Sequence, residues 1–166
     1  MGGGREVCTS LLTDGVGTPN VLFVSFTRQP GACVDQLEET EASDVGVVMV
    51  GESGTADRAD VAVETVPTPS DLTGLGIEIG PFLSEWDVPV TVCFDSVTAM
   101  LQYVDFETAC EFLHAITGQV HAAGARAHFH VDPGAHDEQA IAGITALFEA
   151  SVSVEDTDVS TREVIR

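Results

Sequence analysis

Short apolar runs alternate along the chain with segments whose apolar positions recur at helical spacing. Residues 21–26, 45–50, 61–66, 90–94, 125–131 and 151–154 read as strands. Most of these runs are continuous rather than alternating, as expected of strands covered on both faces of a parallel sheet. The run at 125–131 does alternate: Ala127, Phe129 and Val131 share one face, and His128, His130 and Asp132 the other. Between the runs lie five helical patterns. The first buries Val7, Cys8, Leu11 and Leu12. The second follows Pro30 and Gly31, turning Cys33, Val34 and Leu37 inward and Glu38, Glu39 and Glu41 to water. A third, capped by Ser70 or Asp71, carries Leu72, Leu75, Ile79, Phe82, Leu83 and Trp86, with Gly74, Gly76, Gly80 and Pro81 predicting a kink or a late start. The fourth runs from an Asp105 cap to Ala123 with Phe106, Ala109, Cys110, Leu113, Ile116 and Val120 inward, and Gly124 ends it. The fifth spans about His136 to Ala150 and buries Ile141, Ile144, Leu147 and Phe148.

Strands alternating with helices at this pace predict an α/β fold of three layers, a mostly parallel sheet with helices on both faces. The expected organisation is one domain over residues 1–154, with 155–166 as an acidic tail or an edge hairpin through 159–165.

Charge narrows the partners. Six arginines, with no lysine, face 27 acidic residues, a formal net charge of -21. Such a field repels nucleic-acid phosphates and anionic membranes, whose binding depends on basic side chains. It also suits concentrated salt, which screens the self-repulsion, so a halophile's cytoplasm is the expected setting. Cys8, Cys33, Cys93 and Cys110 show no paired spacing and read most simply as buried small hydrophobes in a reducing compartment. No run approaches the roughly 18 apolar residues that mark a membrane span.

The central run, Pro89 to Phe94, ends in Asp95 and Ser96. That places a carboxylate and a hydroxyl outside the carboxyl end of a buried strand, where open α/β sheets bind ligands. A cap on the following turn is the plainer role. Four stretches, Asn20 to Thr27, Asp71 to Gly76, Val90 to Leu101 and Gly124 to His130, together resemble the core of the RecA/KaiC-like ATPases, within them a haloarchaeal KaiC-like set. The resemblance implies a core lacking its first strand and a relic nucleotide site made of Gly3, Gly4, Arg5, Thr27, Arg28, Asp95 and Ser96. Active members carry a Gly-Lys-Ser/Thr phosphate loop and acidic residues after the second strand. Here Gly4-Arg5-Glu6 and Phe26-Thr27-Arg28 stand in those places. Phosphoryl transfer is almost wholly positioning and charge stabilisation, so these losses predict that ATP hydrolysis is gone and that ATP and Mg²⁺ are not required. The absent strand would leave a gap beside the central strand, which a protein partner or a second copy of the chain would fill.

His128, His130, Asp132 and His136 form the richest run of potential metal ligands. Two histidines on one strand face, a carboxylate next in line and a third histidine across a Pro-Gly turn match the N and O donors of a zinc or iron ion. The competing reading has the histidines packed on the sheet, with Asp132 and His136 capping the turn and helix. Arg126, at a strand start, is expected in a structural ion pair. The expected function is a non-hydrolysing KaiC-like regulatory or protein-interaction domain. The alternatives are a nucleotide-binding protein with a rewired site, or a metal-dependent hydrolase using the histidine cluster.

Overall fold

Five of the apolar runs pair as parallel strands: β1 (Asn20–Ser25), β2 (Val45–Val50), β3 (Val61–Val66), β4 (Val90–Asp95) and β5 (Arg126–Val131). Two further strands, β6 (Ala150–Glu155) and β7 (Ser160–Ile165), extend the sheet to the order β3-β2-β1-β4-β5-β7-β6. The computed structural model describes residues 3–15, 17–26, 30–37, 40, 42–51, 61–155 and 160–165. Glu38, Glu39 and Glu41 therefore lie outside the described residues, as does most of the loop expected after β2.

The carboxyl-terminal strands depart from expectation. β7 pairs antiparallel with both β5 and β6, so the tail is inserted into the sheet and β6, read from sequence as a core strand, forms its outer edge. Antiparallel pairing of β6 with β7 leaves β7's other edge free to bond β5. The central strand β4 has no gap: β1 bonds one side and β5 the other.

The continuous apolar strands supply two cores because successive side chains point to opposite faces. Leu22, Val24, Val48, Val50, Val90, Val92, Phe94, Ala127, Phe129 and Val131 face α3 (Leu72–Glu85), α4 (Val97–Met100), α5 (Phe106–Ala122) and α6 (Glu138–Thr145). Phe129 stacks on Phe94 at 5.0 Å between ring centroids and meets Phe148 at 4.9 Å. On the opposite face Val21, Phe23, Val47, Met49 and Cys93 pack with Cys8 and Leu12 of α1 (Gly3–Thr13) and with Cys33 of α2 (Pro30–Asp35). This is the three-layer α/β arrangement.

Three helices differ in detail from the pattern. α3 starts at Leu72 rather than late, because the Asp71 carboxylate accepts the Gly74 N–H at 2.9 Å. An added Cβ at Gly74 would collide with that carboxylate and displace the cap. Pro81 is accommodated inside α3 on its exposed side. In α5, Phe106 is 40% exposed rather than core, and its ring lies over Gly143 of α6, where an added Cβ would come within 3.0 Å of it. α6 is shorter than the apolar spacing suggests. Pro133–Ala135 form a 3-10 turn capped by Asp132, and the Asp137 carboxylate accepts the Ala140 N–H at 2.7 Å, fixing the start at Glu138 instead of His136.

Candidate functional site

The strand order reverses between β1 and β4, and that switch point is where ligands of open α/β sheets enter. Asp95 stands there, half-buried at the end of β4. The strands stay zipped to their ends: Ser25 pairs with Asp95, and the Phe26 N–H donates to the Asp95 carbonyl at 2.8 Å. The Asp95–Ser96 peptide bond is cis, as is Val88–Pro89. Ser96 caps α4 by accepting the Ala99 N–H at 3.0 Å. Two residues on, Thr98 Oγ1 accepts the Asp132 N–H at 2.9 Å and shares a hydrogen bond with His136 Nε2 at 3.0 Å. The Asp132 carboxylate accepts the Gly134 N–H at 3.0 Å. The Ser96 and Thr98 hydroxyls and the Asp132 carboxylate are thus engaged within the rim.

A second polar cluster lies on the other face of the sheet, under α1. The buried stripe of that helix sets Cys8 and Leu12 one turn apart against the sheet. β4 presents Cys93 to the same face, and parallel register sets His128 of β5 directly beside it, with His130 two residues on. Cys8 Sγ lies 3.5 Å from Cys93 Sγ and 3.1 Å from His128 Nε2, while Cys93 Sγ lies 3.2 Å from His130 Nε2. Cys8, Cys93 and His128 are buried and His130 is half-buried. The thiol of Cys8 is held well below its ordinary value, first by its hydrogen bond with Cys93 and further by His128 and His130, against the opposing effect of burial. Two soft sulfur donors and two imidazole nitrogens, converging without an acid in between, form a thiol–imidazole chain with metal-binding chemistry.

The histidine run read from sequence therefore divides. His128 and His130 share a face as the alternation predicts, but Asp132 and His136 turn away to the α4 rim, because Asp132 caps the 3-10 turn and His136 bonds Thr98. Among the described residues the one convergent group of metal-type donors is Cys8, Cys93, His128 and His130. The two cysteines were read as plain core residues; they stand 85 residues apart, and nothing in their spacing announces them. Of the relic nucleotide residues, Gly3, Gly4 and Arg5 form the first turn of α1 and Asp95 and Ser96 sit at the switch point, whereas Thr27 and Arg28 lie outside the described residues. Arg126 departs from the expected ion pair: its guanidinium donates to the Leu11 and Asp14 carbonyls, at 2.7 and 3.3 Å, where α1 ends.

A family model described as "Family of unknown function (DUF7504)" matches residues 2–154. No curated protein matches the chain. Among solved structures, a protein described as a ribosomal RNA methyltransferase from Plasmodium falciparum is 11% identical, with a TM-score of 0.54 over 94% of this chain and 87% of that one. A protein described as a methyltransferase from Thermobifida fusca is 13% identical, with a TM-score of 0.53 over 98% of this chain and 77% of that one. At these identities the likeness is one of fold, an α/β sheet of the Rossmann-like kind. No helix among the described residues is long and apolar enough to cross a membrane.

Proposed function

The chain belongs to DUF7504, and from that premise we propose that it is a non-hydrolysing regulatory or protein-interaction domain, RecA/KaiC-like in descent. One observation carries the reading. Beside Asp95 at the switch point the hydroxyls that would serve a phosphate or Mg²⁺ are spent on the protein itself, Ser96 on the α4 cap and Thr98 on Asp132 and His136. A phosphate site needs free N–H groups and a cation facing the ligand, and catalysis needs donors poised for the transition state rather than already bonded. The net charge of -21 further opposes a polyanion. Its partner is then a protein surface, or a second copy of the chain.

The test is a thermal-shift titration with Mg-ATP in molar KCl, alongside a phosphate-release assay. The expected result is no shift and no release. Turnover that disappears in Asp95→Asn would refute the proposal. The likeness to two proteins described as methyltransferases favours a second reading, in which the same crevice takes a methyl-donor nucleoside. S-adenosylmethionine in the same titration distinguishes it: a saturable upward shift supports methyl-donor binding and counts against a purely interacting domain.

A further inference from the structure

We propose that Cys8, Cys93, His128 and His130 form a closed tetrahedral site for a thiophilic divalent cation, Zn²⁺ foremost, that clips α1 to strands β4 and β5. The four donor atoms all lie within 4.8 Å of one another, supplied by three separate elements. Zn–S bonds of about 2.3 Å and Zn–N bonds of about 2.0 Å place tetrahedral ligand atoms about 3.8 Å apart for two sulfurs and about 3.5 Å for sulfur and nitrogen. The measured 3.5 Å for the sulfurs and 3.1 and 3.2 Å for the sulfur–nitrogen pairs fall slightly inside those edges. The remaining donor pairs lie within 4.8 Å, so an ion at the centre needs the close pairs to open and any wider ones to draw in.

Chemistry selects the ion. Thiolate and imidazole donors favour Zn²⁺ over Mg²⁺ and Ca²⁺, which take oxygen ligands. Binding two thiols and two neutral imidazoles to Zn²⁺ forms two Zn–S and two Zn–N bonds and releases the two thiol protons to solvent. The ion's two positive charges then cancel two thiolates, so the filled site is neutral, as a buried site must be to avoid a large desolvation cost. With four protein ligands no coordination position remains for water or substrate, which makes the site structural rather than hydrolytic. The proposal stands apart from the reading of the switch point, since none of the four residues lies on the α4 rim.

The test uses the full chain, reduced and purified without a histidine tag, and measures zinc content and cobalt(II) spectra. The expected result is about one zinc per chain. Cobalt should give the strong visible bands of a tetrahedral thiolate complex, and chelation should lower the melting temperature. His136→Ala should bind as the wild type does. Cys8→Ser and Cys93→Ser should each weaken binding at least about 100-fold, more than the loss of an outer-shell partner costs. Should a cysteine variant fail to fold, the cobalt spectrum of the wild type and of His136→Ala still decides. Less than a tenth of an equivalent of zinc after exposure to excess ion, an octahedral cobalt spectrum, or loss of binding in His136→Ala would each overturn the proposal.

Discussion

Replacing Thr98 with valine removes one hydroxyl and almost no volume, and so tests whether the rim at the end of β4 is a structural latch. Thr98 Oγ1 holds the Asp132 N–H at 2.9 Å and His136 Nε2 at 3.0 Å, tying the turn after β5 to α4. Thr98→Val leaves both partners without that oxygen. Each neutral hydrogen bond is worth about 0.5–1.5 kcal/mol net, so the expected loss is about 1–3 kcal/mol. The value should fall toward the lower half, because Thr98, Asp132 and His136 are half-buried and water can replace part of the bonding. For a chain of 166 residues each kcal/mol lowers the melting temperature by about 2–4 °C, giving a fall of about 2–8 °C by calorimetry. Thr98→Ser keeps both bonds and should stay close to the wild type. In a double-mutant cycle with His136→Leu the two losses should be less than additive, since they share a bond. A Thr98→Val protein as stable as the wild type, or a Thr98→Ser protein as damaged as Thr98→Val, would refute the latch.

Four further outcomes follow from the packing. Thr91 Oγ1 is buried with no hydrogen-bond partner among the described residues, so Thr91→Val should raise stability by about 1 kcal/mol, and a lower unfolding midpoint in urea would contradict that. Gly46→Ala would set a Cβ 2.6 Å from Phe82 Cε1 and 3.1 Å from Trp86 Cη2, costing about 1–3 kcal/mol; the penalty should shrink in a Phe82→Leu background, as measured by denaturant melts of both pairs. Phe129→Ala removes a ring packed between Phe94 and Phe148 and should cost about 3–5 kcal/mol in the same assay. The Asp105 carboxyl is held below its ordinary 3.8 by side-chain and backbone hydrogen bonds with Thr108, so its stabilisation is full above 3.8 and is lost as pH falls through the lower folded value. Asp105→Asn keeps the cap without titrating, so thermal melts should show the wild type losing stability relative to the variant over that acid range.

The sheet was legible because continuous Val-rich runs admit one reading. Residues 45–50 and 90–94 became β2 and β4 almost to the residue, with two covered faces as the pattern requires. Where the apolar stripe was backed by a cap, as at Asp71 and Asp105, the helix faces were largely legible, although Phe106 and Cys110 were read as core and are not fully buried. What failed was long-range or subtle. The position of β7 between β5 and β6 depends on a strand edge left unpaired 30 residues earlier, which local pattern does not encode. The late start of α6 depends on Asp137 rather than the turn at His136 supplying the cap, a choice of position that periodicity does not resolve. At the candidate sites, alternation correctly set His128 beside His130. The extension to Asp132 and His136 failed because strand period ends where the Pro133 turn begins.

The cysteines show why a buried site escapes a reading by spacing. Cys8 enters through a helix stripe and Cys93 through a strand face, and each position is filled equally well by any small apolar residue. Only the parallel register that sets Cys93 beside His128, and the descent of α1 onto that pair, gives the two thiols a common neighbour. Arg126 strengthens the same placement by gripping the Leu11 and Asp14 carbonyls, so α1 is held at its carboxyl end by a guanidinium and near its middle by the thiol–imidazole chain. The convergent thiol–imidazole chemistry of this fold lies on the buried face beneath α1, where its bonds tie the helix to β4 and β5.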